Sequence, residues 1–356
     1  MKTLSPTPFL KIDIEKTRQH IKTMSEKARS NALEFRPHFK THQSLMIGSI
    51  FREYGTKGIT VSSTNMAEYF MRAGWNDVTI AFPANILEIN RYNKLSEDAD
   101  LRLLVQSKRV CDLLSEGLNT TIGVYIELDP DYGRSGLSYT DIKSIRELAD
   151  HIKKSNLLHF IGFYCHAGNS YKCNSRNEIS ELGKNILSGL EKIRSLFPDA
   201  DICYGDTPTC SVLESFGPVS QLSPGNFVFY DLMQSAIGSC SEEDISVSLC
   251  CPVVEKKAER KQLIIHGGAV HLSKEFLSDS SGKHFGYVKG NKSSRLVSIS
   301  QEHGIVECSE EFFNEIKIGD HIEILPVHSC LTADLMGSYS DLTGKYYDHL
   351  RSHYPG

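Results

Sequence analysis

No stretch of this 356-residue chain approaches the roughly eighteen continuous apolar residues of a membrane-spanning helix. A helical membrane protein is therefore not expected. The opening MKTLSPTPFLKIDI has no apolar core of the length a signal peptide needs, so a soluble, cytoplasmic protein is expected. Blocks of one charge are missing too. The 39 Lys and Arg residues are scattered among 44 Asp and Glu, giving a net charge of −5, and a nucleic-acid partner is not expected. Cysteine is sparse: ten residues, no CxxC and one adjacent pair, Cys250-Cys251. That excludes a disulfide-built scaffold and favours reduced thiols, with one or two candidates for ligands. There is no repeat, acidic tail or Ser/Gly linker, so a domain boundary must come from a change of texture.

What is present is alternation. Short apolar runs at Leu33–Lys40, Gly58–Ser62, Asp77–Phe82, Leu101–Val105, Gly123–Leu128, His159–Cys165, Asp201–Gly205 and Val219–Leu222 read as eight strands. Between them lie helical stripes. Ile14, Thr17, Ile21, Met24 and Ala28 form one. Ile142, Ile145, Leu148 and Ile152 form another, and Ile179 to Phe197 the longest. Eight strand–helix units within about 230 residues predict an α/β fold of the (β/α)8 TIM-barrel type, with a doubly wound open sheet as the alternative. After about residue 240 the segments Glu242–Glu255, Gln262–His266, Arg295–Ser300, Gly304–Cys308 and His321–Val327 are β-like, with a helical turn near Glu310–Glu315. The expected division is a barrel over 1–240 and a C-terminal β domain over 241–356.

Four segments carry candidate chemistry. Pro37 favours extended backbone, which would place Lys40 at the C-terminal end of the first strand, where barrel enzymes keep catalytic groups. Arg36, His38 and Lys40 would share a face. Cationic neighbours would lower the Lys40 pKa and leave an amine able to form a Schiff base; a solvated surface lysine fits the same residue. After the sixth strand, Tyr164 to Tyr171 offers hydrogen-bonding side chains among small residues, and after the fifth Arg134 could meet an anion. After the seventh, Thr207 suits an N-cap and Pro208 the first helical position, with a helix reaching Val212–Phe216. After the eighth, Gly225 lets backbone approach a ligand, beside Asn226. Barrels often build phosphate sites from these last two loops, although both also read as ordinary turns. Finally, His328 and Cys330 would share a side of an extended segment, and imidazole plus thiolate suits zinc. A buried cysteine beside a hydrogen-bonded histidine is the plainer reading.

Taken together, RPHFKTH, FYCHAGNSY, GDTPT, SPGNFVFYD and PVHSCLT, in this order, resemble the D-serine dehydratase/D-threonine aldolase family, which has the alanine racemase fold. The resemblance implies pyridoxal 5′-phosphate (PLP) attached at Lys40 and held by Tyr164, Tyr171, Thr207, Gly225 and Asn226. It implies a divalent metal, zinc foremost, on His328 and Cys330, and a homodimer. Aldolase members often carry Asp at the second metal position, so Cys330 points to the dehydratases. The implied reaction is conversion of D-serine to pyruvate and ammonia. D-threonine aldolase, an amino-acid racemase and a non-catalytic PLP-binding protein are the alternatives, in that order. The segment His266-Gly267-Gly268-Ala269, where many relatives have Asp-Ala-Gly, departs from the family pattern, and His271 and Glu302-His303 look like subfamily features.

Overall fold

The computed structural model describes residues 5–353. Two compact units emerge. One comprises Ile21–Lys40 and Gly48–Phe227; the other takes the chain up to His20, Thr41–Ile47 and everything from Val228 onward. The expected cut near 240 falls inside this second unit. Among the described residues no helix is long and apolar enough to cross a membrane.

The first unit is a parallel α/β barrel. Its eight strands are Glu34–Phe35 (β1), Ile59–Val61 (β2), Asp77–Pro83 (β3), Asp100–Val105 (β4), Ile122–Asp129 (β5), Leu158–His166 (β6), Asp201–Gly205 (β7) and Gln221–Leu222 (β8). They hydrogen-bond in sequence order, β8 returns to β1, and a parallel bridge from His38 to Thr60 closes the ring. Seven of the eight residues of β5 are buried, as expected where helices cover one face and the barrel interior the other. The helix Arg176–Leu196 buries Ile179, Ile186, Leu190 and Ile193, the stripe its spacing predicts. Ser63, Ser107, Asp141, Ser175 and Asp206 each cap a helix by accepting a backbone N–H from its first turn, which sets where those helices begin.

The first strand is shorter than its apolar run. Only Glu34–Phe35 form ladder pairs, and the chain then runs extended to His38 before turning at Phe39–Lys40. The His38 amide donates to Pro224 O at 2.9 Å and Thr60 donates to Pro37 O at 2.9 Å, so this stretch closes the barrel seam. The expected shared face of Arg36, His38 and Lys40 does not form a cationic cluster. Arg36 is fully buried, with a bidentate ion pair to Asp77 at 2.6 and 2.7 Å and a third bond to Glu34 at 2.8 Å. It is an interior anchor near the N-terminal ends of the strands.

The second unit is built on antiparallel β structure. Gln262–His266, His303–Glu307, Asn291–Ile299, Gly286–Val288, His321–Pro326 and Val247–Lys257 pair in that order, and the last pairs back with the first, closing a small barrel. Leu249, Cys251, Val253, Leu263, Ile265, Leu296, Val306, Ile322 and Ile324 fill it. Glu242–Asp244, expected within a strand, is a short helical turn, and the strand starts at Val247. The N-terminal strand Phe9–Ile12 pairs with Val247–Cys250 and so belongs to this unit. No disulfide joins any of the ten cysteines.

Candidate active site

In the barrel unit, the loops after β6, β7 and β8 are tied to one another. His166 Nδ1 lies 2.9 Å from Gly205 O, and Ser170 donates to Asp206 at 2.7 Å. The Tyr204 carbonyl accepts from Ser223 N at 2.8 Å, and the Thr207 hydroxyl accepts from Phe227 N at 3.0 Å. Gly205 is required at this junction, because a Cβ there would sit 2.5 Å from the Ser223 carbonyl oxygen.

These links bring the predicted cofactor positions to the C-terminal ends of neighbouring strands. Tyr164 is buried near the end of β6 and hydrogen-bonds Ser223; burial, with Cys203 beside it, pushes its hydroxyl pKa up, so it stays a neutral donor. Tyr171 lies half-buried in the single helical turn Gly168–Lys172. Thr207, Gly225 and Asn226 sit in the two loops after β7 and β8. Lys40 is exposed in the turn after the β1 extension.

One expectation changes in detail. Asp206, not Thr207, is the N-cap: its carboxylate accepts from Thr209 N at 2.8 Å, and the helix stops at Val212. The Asp carboxylate wins because it is buried and must satisfy its lone pairs locally. Burial still lifts its pKa to about 6 against the bonds from Thr209 and Ser170. Thr207 is thereby released from capping. It accepts from Phe227 and keeps its own O–H to donate.

His166 was not singled out from sequence. Its Nδ1–H donates to Gly205 O, which leaves the Nε2 lone pair available. Burial, then the positive charges of Lys40 and Arg134, holds its pKa down to about 3. Arg134 lies over the Tyr132 ring, 5.4 Å from its centroid.

The second unit holds the other candidates. His328 and Cys330 are not on an extended strand. His328 precedes the helix Ser329–Met336, and Cys330 lies in its first turn. The reason is Asp231, whose Oδ2 accepts from Ser329 N at 3.0 Å and from the Ser329 hydroxyl at 3.2 Å, fixing the helix start. The two side chains nevertheless hydrogen-bond. His328 Nδ1 meets Glu275 Oε2 at 2.8 Å, so the other ring nitrogen is the one that faces the cysteine. Burial works against the imidazolium, but Cys330 and Glu275 overcome it and lift the His328 pKa to about 11. The Thr41 hydroxyl lies 3.3 Å from Cys330 Sγ, and Thr41 follows Lys40 in sequence.

Residues 12–198 match the model of the alanine racemase N-terminal domain, and residues 246–340 match that of a putative serine dehydratase domain. The chain belongs to the alanine racemase N-terminal domain family. Within this family it is 29% identical to a D-serine dehydratase of Dictyostelium discoideum, over 94% of this chain and 92% of that protein. It is 26% identical to the D-threo-3-hydroxyaspartate dehydratase of a Delftia species, over 94% of each. Two solved structures of D-threo-3-hydroxyaspartate dehydratase, a histidine-to-alanine mutant and a cysteine-to-alanine mutant in the metal-free form, superpose with TM-scores of 0.88 and 0.87. They are 26% and 25% identical, and each covers 98% of this chain and at least 95% of its own.

A second set of potential metal ligands, absent from the sequence expectations as a site, is His266, His271 and Glu302. Glu302 Oε2 lies 3.5 and 3.7 Å from the two Nε2 atoms. However, His271 Nδ1 accepts from Gly268 N at 3.1 Å. Neutral His271 therefore carries its hydrogen on Nε2, facing Glu302, and has no lone pair there for a metal. Through the bond from Gly268 N, His271 caps the short helix Ala269–Leu272.

Proposed function

We propose that this chain is a PLP- and metal-dependent lyase of β-hydroxy D-amino acids, with dehydration of D-serine to pyruvate and ammonia as its reaction. The observation that carries this reading is the pairing of His328 with Cys330 through one ring nitrogen while the other is held by Glu275. Imidazole and thiolate are a zinc-type donor pair, and two protein ligands leave positions open for substrate. The histidine and cysteine mutated in the two D-threo-3-hydroxyaspartate dehydratase structures are also two positions apart, as His328 and Cys330 are.

The barrel-unit residues fit PLP. Thr207, with its free O–H, and the loop at Gly225–Asn226 would hold the phosphate, and Tyr164 and Tyr171 the rest of the cofactor. Lys40 would be its point of attachment. Bound there, PLP would supply the electron sink for the carbanion left when the Cα proton departs. The Lys40 amine would take that proton as general base. His328 and Cys330 would hold a divalent metal, which supplies Lewis acidity toward the β-hydroxyl. Loss of that hydroxyl as water, followed by addition of water and release of the amine, would account for pyruvate and ammonia.

A product assay tests the reading. D-serine should give pyruvate, chelation should abolish it and zinc should restore it. Glycine from D-threonine without pyruvate from D-serine would replace dehydratase by aldolase. Full turnover after demonstrated metal removal would overturn the role given to His328 and Cys330.

A further inference from the structure

We propose that Glu275 is the positioning residue of the metal centre: its carboxylate fixes the tautomer and the ring orientation of His328, so that Nε2 is presented beside Cys330. This rests on the metal reading above. Glu275 lies 53 positions before His328, in the loop after the helix Ala269–Leu272, and was in none of the motifs that drew attention in the sequence.

The argument is geometric. Glu275 Oε2 is 2.8 Å from His328 Nδ1, the length of a charge-assisted bond. A carboxylate can only accept, so Nδ1 is the donor and must carry hydrogen. A neutral His328 then has its lone pair on Nε2, the atom that a metal needs. This is the opposite of His271, whose Nδ1 accepts from Gly268 N and whose Nε2 is thereby spent. With Nε2 deprotonated for a metal, His328 would have the tautomer opposite to that of His271, set by the opposite partner on Nδ1. Only His328 is prepared for a metal.

The surroundings leave Glu275 this task alone. Among the described residues, the glutamate side chain has no cationic partner other than His328. It is about 40% exposed, so it fills no core space whose loss would unfold the unit. The helix that follows His328 has a separate anchor in Asp231, which binds the Ser329 amide and hydroxyl. Backbone position is set by Asp231 and ring orientation by Glu275. A carboxylate on the far nitrogen also raises the basicity of the imidazole toward a metal, and loss of such a partner typically costs 10–100-fold in affinity.

The test is titration of the purified full-length, metal-stripped protein with Co²⁺ alone, read from its thiolate-to-cobalt charge-transfer band, for wild type, Glu275→Ala, Glu275→Gln, Glu275→Asp and His328→Ala. Glu275→Ala should weaken Co²⁺ affinity about 10–100-fold without moving the thermal midpoint of the metal-free protein. Glu275→Gln should restore part of the affinity, because its amide oxygen still accepts from Nδ1–H. Glu275→Ala binding Co²⁺ as tightly as wild type, with the same band, would overturn the positioning role and leave the metal reading intact. A wild-type protein that takes up no Co²⁺, or a His328→Ala variant that binds it equally well, would overturn the metal reading and the positioning role with it. Should Glu275→Ala fail to fold, Glu275→Gln decides alone: affinity equal to that of Glu275→Asp and wild type would refute the role of the charge.

Discussion

Replacing His166 by Gln should flatten the acid side of the stability profile by one proton. In the folded barrel His166 is partly buried and its Nδ1 is bonded to Gly205 O; desolvation, with the positive charges of Lys40 and Arg134, holds its pKa down to about 3. In the unfolded chain it returns to the ordinary histidine value of about 6.5. The folded pKa is depressed, so the neutral ring's contribution is full above pH 6.5 and is lost as pH falls toward 3. Over that window the unfolded state binds one more proton, worth about 1.4 kcal/mol per pH unit. Between pH 7.5 and 4.5 this sums to about 2.6 kcal/mol from His166 alone. His42 and His349, held down to about 3 and 4 by burial, add in the same direction. Asp206, held up at about 6, opposes them between about pH 6 and 4. The difference between wild type and variant isolates His166 from all of these. Gln can still donate to Gly205 O, so the fold should survive. Urea unfolding at pH 7.5 and 4.5 measures both profiles. Identical loss of stability in the two proteins would refute a His166 held neutral in the folded state.

The other expectations are briefer. Asp77→Ala removes the bidentate partner of the fully buried Arg36 guanidinium, leaving it Glu34 alone as a carboxylate partner, and should cost about 3–5 kcal/mol in urea unfolding; a loss under 1 kcal/mol would show the pair is not structural. Gly205→Ala puts a methyl 2.5 Å from the Ser223 carbonyl and should cost about 1–3 kcal/mol while separating the loops after β7 and β8. Unchanged stability and cofactor affinity would contradict that. Thr207→Val removes the Thr207 O–H from the β7 loop and should weaken PLP uptake by about tenfold, read by absorbance titration, with little effect on unfolding. Equal uptake would remove Thr207 from the cofactor site.

The barrel was legible because its signals are local. Each strand is a short apolar run, and each longer helix has a 3.6-residue stripe and a Ser or Asp cap. All eight barrel strands lie within or against their expected runs. What local pattern could not show was partnership at a distance. Phe9–Ile12 is a four-residue strand whose partner begins at Val247. Arg36 looked like a companion of Lys40, but Asp77, 41 positions on, claims it. The segment His328-Ser329-Cys330 was expected to be extended but opens a helix, because the deciding group, Asp231, is 98 positions away. Glu275 and His166 acquire meaning only from which ring nitrogen each contact occupies, and no sequence pattern encodes a tautomer.

The central claim is that a cofactor is attached at Lys40. Borohydride reduction of the PLP-loaded protein, followed by peptide mass spectrometry, tests it most directly. A pyridoxyl group on the peptide containing Lys40, lost in Lys40→Ala, is the predicted result. A protein that takes up no cofactor, or one labelled at a different lysine, would contradict it.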